Sequence, residues 1–92
     1  MKVIFTKHVE DKLLEKESLS LGVSKKLLKE VLTKPITIDK KIFPHRAVGR
    51  LNNTLSLCVI YKIEKRSILV ITFYPAAKGR YESKVLRRRR PS

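Results

Sequence analysis

The alternation of apolar and polar residues divides the 92-residue chain into short elements. Lys2 to Thr6 (KVIFT) is β-branched and aromatic and predicts a first strand. Thr6 is suited to cap a helix, because Glu10 and Asp11 then fall in its first turn, where the helix dipole favours negative charge. Val9, Leu13 and Leu14 recur at helical spacing, which predicts a helix ending near Ser18. A loop over Leu19 to Val23, containing Gly22, leads to Ser24 as the cap of a second helix. Leu27, Leu28, Val31 and Leu32 form its apolar face, and Lys25, Lys26, Lys29 and Glu30 the polar one. Pro35 stops it, since proline cannot continue the hydrogen-bond ladder.

Beyond Pro35 the period changes from helical to two. Ile36 to Ile38 alternates, and Lys40 and Lys41 lead through Pro44 into a basic strand over His45 to Leu51. Asn52 and Asn53 mark a turn. Thr54 to Ile63 predicts a long strand with Leu55, Leu57, Val59, Tyr61 and Ile63 on one face and Ser56, Cys58, Ile60 and Lys62 on the other. After a turn at Glu64, Lys65 and Arg66, Ser67 to Tyr74 (SILVITFY) is the most apolar segment and predicts a central strand ended by Pro75. The expected class is α+β in the order strand, helix, helix, strand, strand, strand, with both helices on one face of an antiparallel sheet and the other face available. A single domain over residues 1–82 is expected, followed by a basic, solvated tail over 83–92.

Composition changes this picture through charge. Against 8 Asp and Glu stand 22 Lys and Arg, a formal net charge of +14. That excess attracts phosphates or acidic protein and, with so little Glu to balance it, points to a polyanionic partner. Seven of the basic residues lie in Lys78 to Ser92, including the run Arg87, Arg88, Arg89 and Arg90, which needs solvent, phosphates or carboxylates around it. No apolar run is long enough to span a bilayer and no signal-like segment opens the chain, so a cytoplasmic protein with no membrane partner is expected. Cys58 has no second cysteine to pair with and is expected as a buried, inert thiol.

Phosphate loops, nucleophile elbows and metal-spaced Cys or His clusters are absent from the sequence, so no cofactor or metal is expected. RNA cleavage without a metal requires little: a group to take the 2′-hydroxyl proton, cations for the pentavalent phosphate, and a donor for the leaving oxygen. His8, His45, Tyr81 and Glu82 are candidates for proton transfer. Arg46 and Arg50 share one strand face by even spacing and, with Lys78 and Arg80 after the central strand, are candidates for charge stabilisation. Tyr74 and Tyr81 offer rings for base stacking.

The strings FTKHVEDKL (Phe5 to Leu13), VSKKLLKEVLTKP (Val23 to Pro35) and VITFYPAAKGRYE (Val70 to Glu82), with the strand Leu57 to Tyr61 between them, give the chain a resemblance to the RelE/ParE toxin superfamily. It is most similar to small members with a His-bearing first helix. The resemblance implies two helices on a curved antiparallel sheet, and a toxin neutralised by an acidic antitoxin. The activity it implies is metal-independent endoribonuclease action on mRNA, free or on the ribosome. It marks Arg80 and Tyr81 as the post-strand pair, Arg46 and Arg50 as phosphate-binding sheet positions, and His8 as the first-helix histidine, with Lys12 where an arginine is common. His45, Lys78 and Arg87 to Arg90 are then further RNA contacts. Other readings are a non-catalytic module for RNA or an acidic protein, and a gyrase-directed toxin.

Overall fold

The computed structural model describes residues 2–78. Arg80, Tyr81, Glu82 and the run Arg87 to Arg90 lie outside the described residues, as does the expected tail. The elements are β1 (Lys2–Phe5), α1 (Lys7–Leu13), α2 (Lys16–Leu21), α3 (Lys25–Thr33), β2 (Thr37–Asp39), β3 (His45–Arg50), β4 (Leu55–Glu64) and β5 (Ser67–Ala77). The fold is α+β, as the pattern implies, with one five-stranded sheet in the order β1-β5-β4-β3-β2. β2 to β5 are antiparallel neighbours, whereas β1 joins β5 in parallel, so the sheet is mixed. A parallel partner needs a crossover, and the three helices between β1 and β2 begin that path.

Helical residues Val9, Leu13, Val23, Leu28 and Val31 pack with Ala47, Leu57, Val59, Tyr61, Val70 and Phe73 into one buried cluster. All of these sheet residues project to the same side. The expected first helix is instead two. Val9 and Leu13 face the core, and continuing the same stripe would carry Lys16, Glu17 and Ser20 inward. The chain breaks at Leu14 and Glu15, and Leu21 at the end of α2 and Val23 beyond it pack on the core. Gly22 ends α2 at φ 73°, and Val23 donates back to the Ser18 carbonyl at 3.0 Å, a left-handed close that glycine adopts without strain. Thr6 and Ser24 cap α1 and α3 as expected, each accepting from the amide three residues on.

α3 crosses the sheet where β3 carries Gly49. A Cβ there would lie 2.7 Å from Val31 Cγ2, so the missing side chain is what lets helix and strand approach.

β5 departs from its predicted form twice. Tyr61 pairs with Val70 but Ile60 pairs with Thr72, which leaves Ile71 as an extra residue in a bulge. The bulge reverses the alternation: Ile68 and Val70 face the helices, then Phe73 does, and Thr72, Tyr74 and Ala76 turn to the other side. It falls where β1 ends, and α1 covers the freed edge. There Thr6 Oγ1 donates to the Ile71 carbonyl at 3.3 Å and Lys12 Nζ donates to the Phe73 carbonyl. The second departure is that Pro75 does not end the strand, which continues to Ala77. Lys78 N donates to the Thr54 carbonyl at 2.8 Å, and counting back through the antiparallel alternation points the Pro75 nitrogen away from β4. It faces the edge that β1 has vacated, so no ladder bond is lost.

Candidate nucleic-acid interface

Among the described residues no helix packs on the second face of the sheet, yet its central residues Val48, Ser56, Cys58 and Ala76 are buried. Register assigns its content row by row. Arg46, Ile60 and Thr72 form one row, Val48, Cys58 and Tyr74 the next, and Arg50, Ser56 and Ala76 the third. Val48, Cys58 and Ala76 form a small second cluster with Tyr74 against it, and Cys58 is fully buried there as expected. An apolar centre is thus bracketed by Arg46 and Arg50, four residues and therefore about 13 Å apart along β3. Lys62 lies on the same face opposite Leu69 and pairs with Glu64 at 3.4 Å.

Arg46 is held in place. Its Nη2 lies 3.4 Å from Asp39 Oδ2 on the neighbouring β2, with the arginine side chain 19% and the aspartate 37% exposed. Arg50 is exposed at the other end, where its Nη2 donates to Asn53 Oδ1 at 2.9 Å. The β3–β4 turn that carries Asn53 is itself braced, because Asn52 Oδ1 accepts from the Thr54 and Leu55 amides. Both guanidinium groups are therefore positioned by neighbours with carboxylate or amide oxygens.

His8 sits on the exposed side of α1 with Nε2 3.2 Å from Thr72 Oγ1. Thr72 begins the row that continues through Ile60 to Arg46, so the imidazole lies at the end of the Arg46 row, beyond the β5 edge. Lys78 leaves the sheet beside Thr54, at the Arg50 end. The sequence-derived candidates are thus spread over the sheet: His8 stands beyond β5, two strands from Arg46 on β3, and Arg50 and Lys78 lie toward the opposite end of the strands. His45 stands apart from Arg46 and Arg50. Its odd position on β3 turns it to the helix side, where it lies 5.5 Å from the Tyr61 ring and 6.0 Å from the Phe43 ring, centre to centre. Its Nδ1 lies 3.2 Å from the Ile42 carbonyl, which makes that nitrogen the donor. Burial pushes the Tyr61 phenol above its ordinary value.

Sequence reasoning missed Thr72 and Asn53. Thr72 could not be assigned because simple alternation places it with Val70, and only the bulge reverses it. Asn53 was legible as a turn residue, but nothing in the sequence showed its oxygen directed at Arg50. Among the described residues no three His, Cys, Asp or Glu side chains are grouped to hold a metal ion, and no helix is long and apolar enough to cross a membrane. Comparison with protein-family models, with curated proteins and with solved structures gives no match.

Proposed function

We propose that the chain is a toxin-type endoribonuclease that binds single-stranded RNA through the Arg46 and Arg50 side of its sheet and cleaves it without a metal ion. The observation that carries the reading is the pair of positioned arginines, Arg46 and Arg50, about 13 Å apart along β3 on a chain of net charge +14. Arginine forks match phosphate oxygens.

In this reading Arg46 and Arg50 hold successive parts of the backbone. His8 takes the 2′-hydroxyl proton, the oxygen attacks the adjacent phosphorus, and the bond to the 5′-oxygen breaks, giving a 2′,3′-cyclic phosphate and a 5′-hydroxyl. Arg80 and Tyr81, the post-strand pair that the resemblance marks, supply the cation for the pentavalent phosphate and the proton for the leaving oxygen. The resemblance to RelE/ParE toxins supports the same chemistry and adds an acidic antitoxin as the partner that silences it.

The test is incubation of the protein with end-labelled RNA in EDTA, set beside the His8→Ala variant. Cyclic-phosphate ends that disappear in the variant, while RNA affinity stays within about two-fold, are the expected result. Intact RNA with the wild-type protein, both free and in the presence of ribosomes, would refute cleavage. RNA still bound under those conditions would favour a non-catalytic binding module, which needs the same cations but no proton donor.

A further inference from the structure

The sheet ends at β2, whose outer side meets no other strand among the described residues. An antiparallel strand turns alternate N–H and C=O groups to each side, so part of the β2 backbone is left without a ladder partner. Large apolar side chains crowd the same edge. Of the eight that are exposed among the described residues, Ile36, Ile38, Ile42 and Phe43 fall close together in the chain, at 54%, 41%, 45% and 75% exposure. Ile38 stands opposite Ala47, on the helix side of the sheet, and Phe43 stands edge-on to His45, which projects to that side. Apolar side chains scattered singly need no explanation, but four gathered beside an unpaired strand edge mark a docking surface.

Charge decides what docks there. Lys34, Lys40 and Lys41 flank the patch and are exposed. Among the described residues no carboxylate stands within ion-pair distance of any of them. Asp39, the only acidic residue between Pro35 and Pro44, is already engaged: Oδ2 lies 3.4 Å from Arg46 Nη2, and Oδ1 accepts from the Lys41 amide at 3.1 Å. A second copy of the chain is therefore a poor occupant. Antiparallel pairing of two β2 strands about Ile38 would set Lys40 opposite Ile36 and Lys34 opposite Ile42, so lysines of both copies would line one seam between chains that each carry +14. We propose that β2 is the docking edge for an extended, acidic segment of a partner protein, which adds to the sheet as a sixth strand. Main-chain hydrogen bonds to β2 set its register, alternate apolar side chains pack on Ile36, Ile38 and Phe43, and its carboxylates meet Lys34, Lys40 and Lys41. The inference stands apart from the reading of Arg46 and Arg50 as an RNA site, since the outer edge of β2 uses neither residue.

The test is fluorescence anisotropy with a labelled peptide of about eight residues, an ordinary strand length, in which valine alternates with glutamate. One control peptide carries lysine in place of glutamate, and another is the acidic peptide with every amide nitrogen methylated. Wild type is compared with the combined Ile36→Ser, Phe43→Ser variant and with the combined Lys40→Glu, Lys41→Glu variant. All four side chains are exposed, so the fold tolerates both changes. Wild type should bind the acidic peptide and neither control, with amide exchange slowed in residues 37–39 of β2. Each double variant should weaken the acidic peptide about ten-fold or more, and the charge-reversed one should gain affinity for the lysine peptide. Failure of wild type to bind the acidic peptide, equal binding of the methylated one, or unchanged affinity in both variants would overturn the proposal. A wild-type dimer in analytical ultracentrifugation that the Ile36→Ser, Phe43→Ser variant dissolves would overturn it in favour of a second copy. Single-stranded RNA bound by wild type and lost in the Lys40→Glu, Lys41→Glu variant, with no binding of the acidic peptide, would overturn it in favour of a nucleic acid.

Discussion

Gly49→Ala tests the packing that sets α3 on the sheet. The added methyl would lie 2.7, 3.0 and 3.2 Å from Val31 Cγ2, Cγ1 and Cβ, respectively. Val31 is β-branched and helical, so its χ1 has essentially one accessible rotamer, and turning it cannot move its own Cβ away. The helix must shift instead. Overpacking of this kind costs about 1–3 kcal/mol, from which the lower chain entropy of alanine in the unfolded state returns about 0.5–1. The net expectation is a loss of about 1.5 kcal/mol, which for a domain of this size lowers Tm by ~6–12 °C. Val31→Ala alone removes two buried methyls and should cost about 1.5–2.5 kcal/mol, but it vacates the space the new methyl needs. The double variant should therefore be more stable than the sum of the two losses by about 1 kcal/mol. Urea unfolding followed by circular dichroism gives all three values. A Gly49→Ala protein as stable as wild type, or strictly additive losses, would refute the close contact.

Three further outcomes follow from described contacts. Thr6→Ala removes both the α1 cap and the donation to the Ile71 carbonyl and should cost about 1–2 kcal/mol in the same unfolding assay, against less than about 0.5 for breaking the exposed Glu10–Lys25 pair with Glu10→Gln. Because the Tyr61 phenol is raised in the folded protein, the native state keeps its proton longer than the unfolded chain does. Its contribution is complete below the unfolded value near 10 and is lost as pH rises through that value to the folded one, so Tyr61→Phe should flatten the alkaline fall in Tm. Cys58 is 0% exposed, and its reaction with a thiol reagent should proceed only through unfolding, accelerating with urea in step with the unfolding equilibrium.

The elements with a strong period are readable from the sequence alone. α3, with Ser24 before it and Pro35 after it, and β4, with Leu57, Val59 and Tyr61 on the core side, have their predicted faces because burial of a whole stripe outweighs local detail. What escaped was set by tertiary contact. The α1–α2 break depends on where the sheet needs apolar side chains, and the Ile71 bulge on where β1 happens to end. Pro75 is a strand breaker in a paired position and harmless at an edge, and the sequence does not reveal which side of β5 is unpaired. The candidate site was legible in part for the same reason. Even spacing correctly put Arg46 and Arg50 on one face, but it also separates them from His45, which the sequence reading grouped with them. The proximity of His8 to Thr72 joins residues 64 apart in sequence, which no local pattern encodes.

The most direct test of the central claim is titration of isotope-labelled protein with a short single-stranded RNA, followed residue by residue in amide NMR spectra. Shifts are expected to concentrate at Arg46, Val48, Arg50, Cys58, Ile60, Thr72 and Tyr74, with His8 ring signals moving alongside them. Shifts confined to residues after Lys78, or to the helical side around His45 and Tyr61, would contradict it.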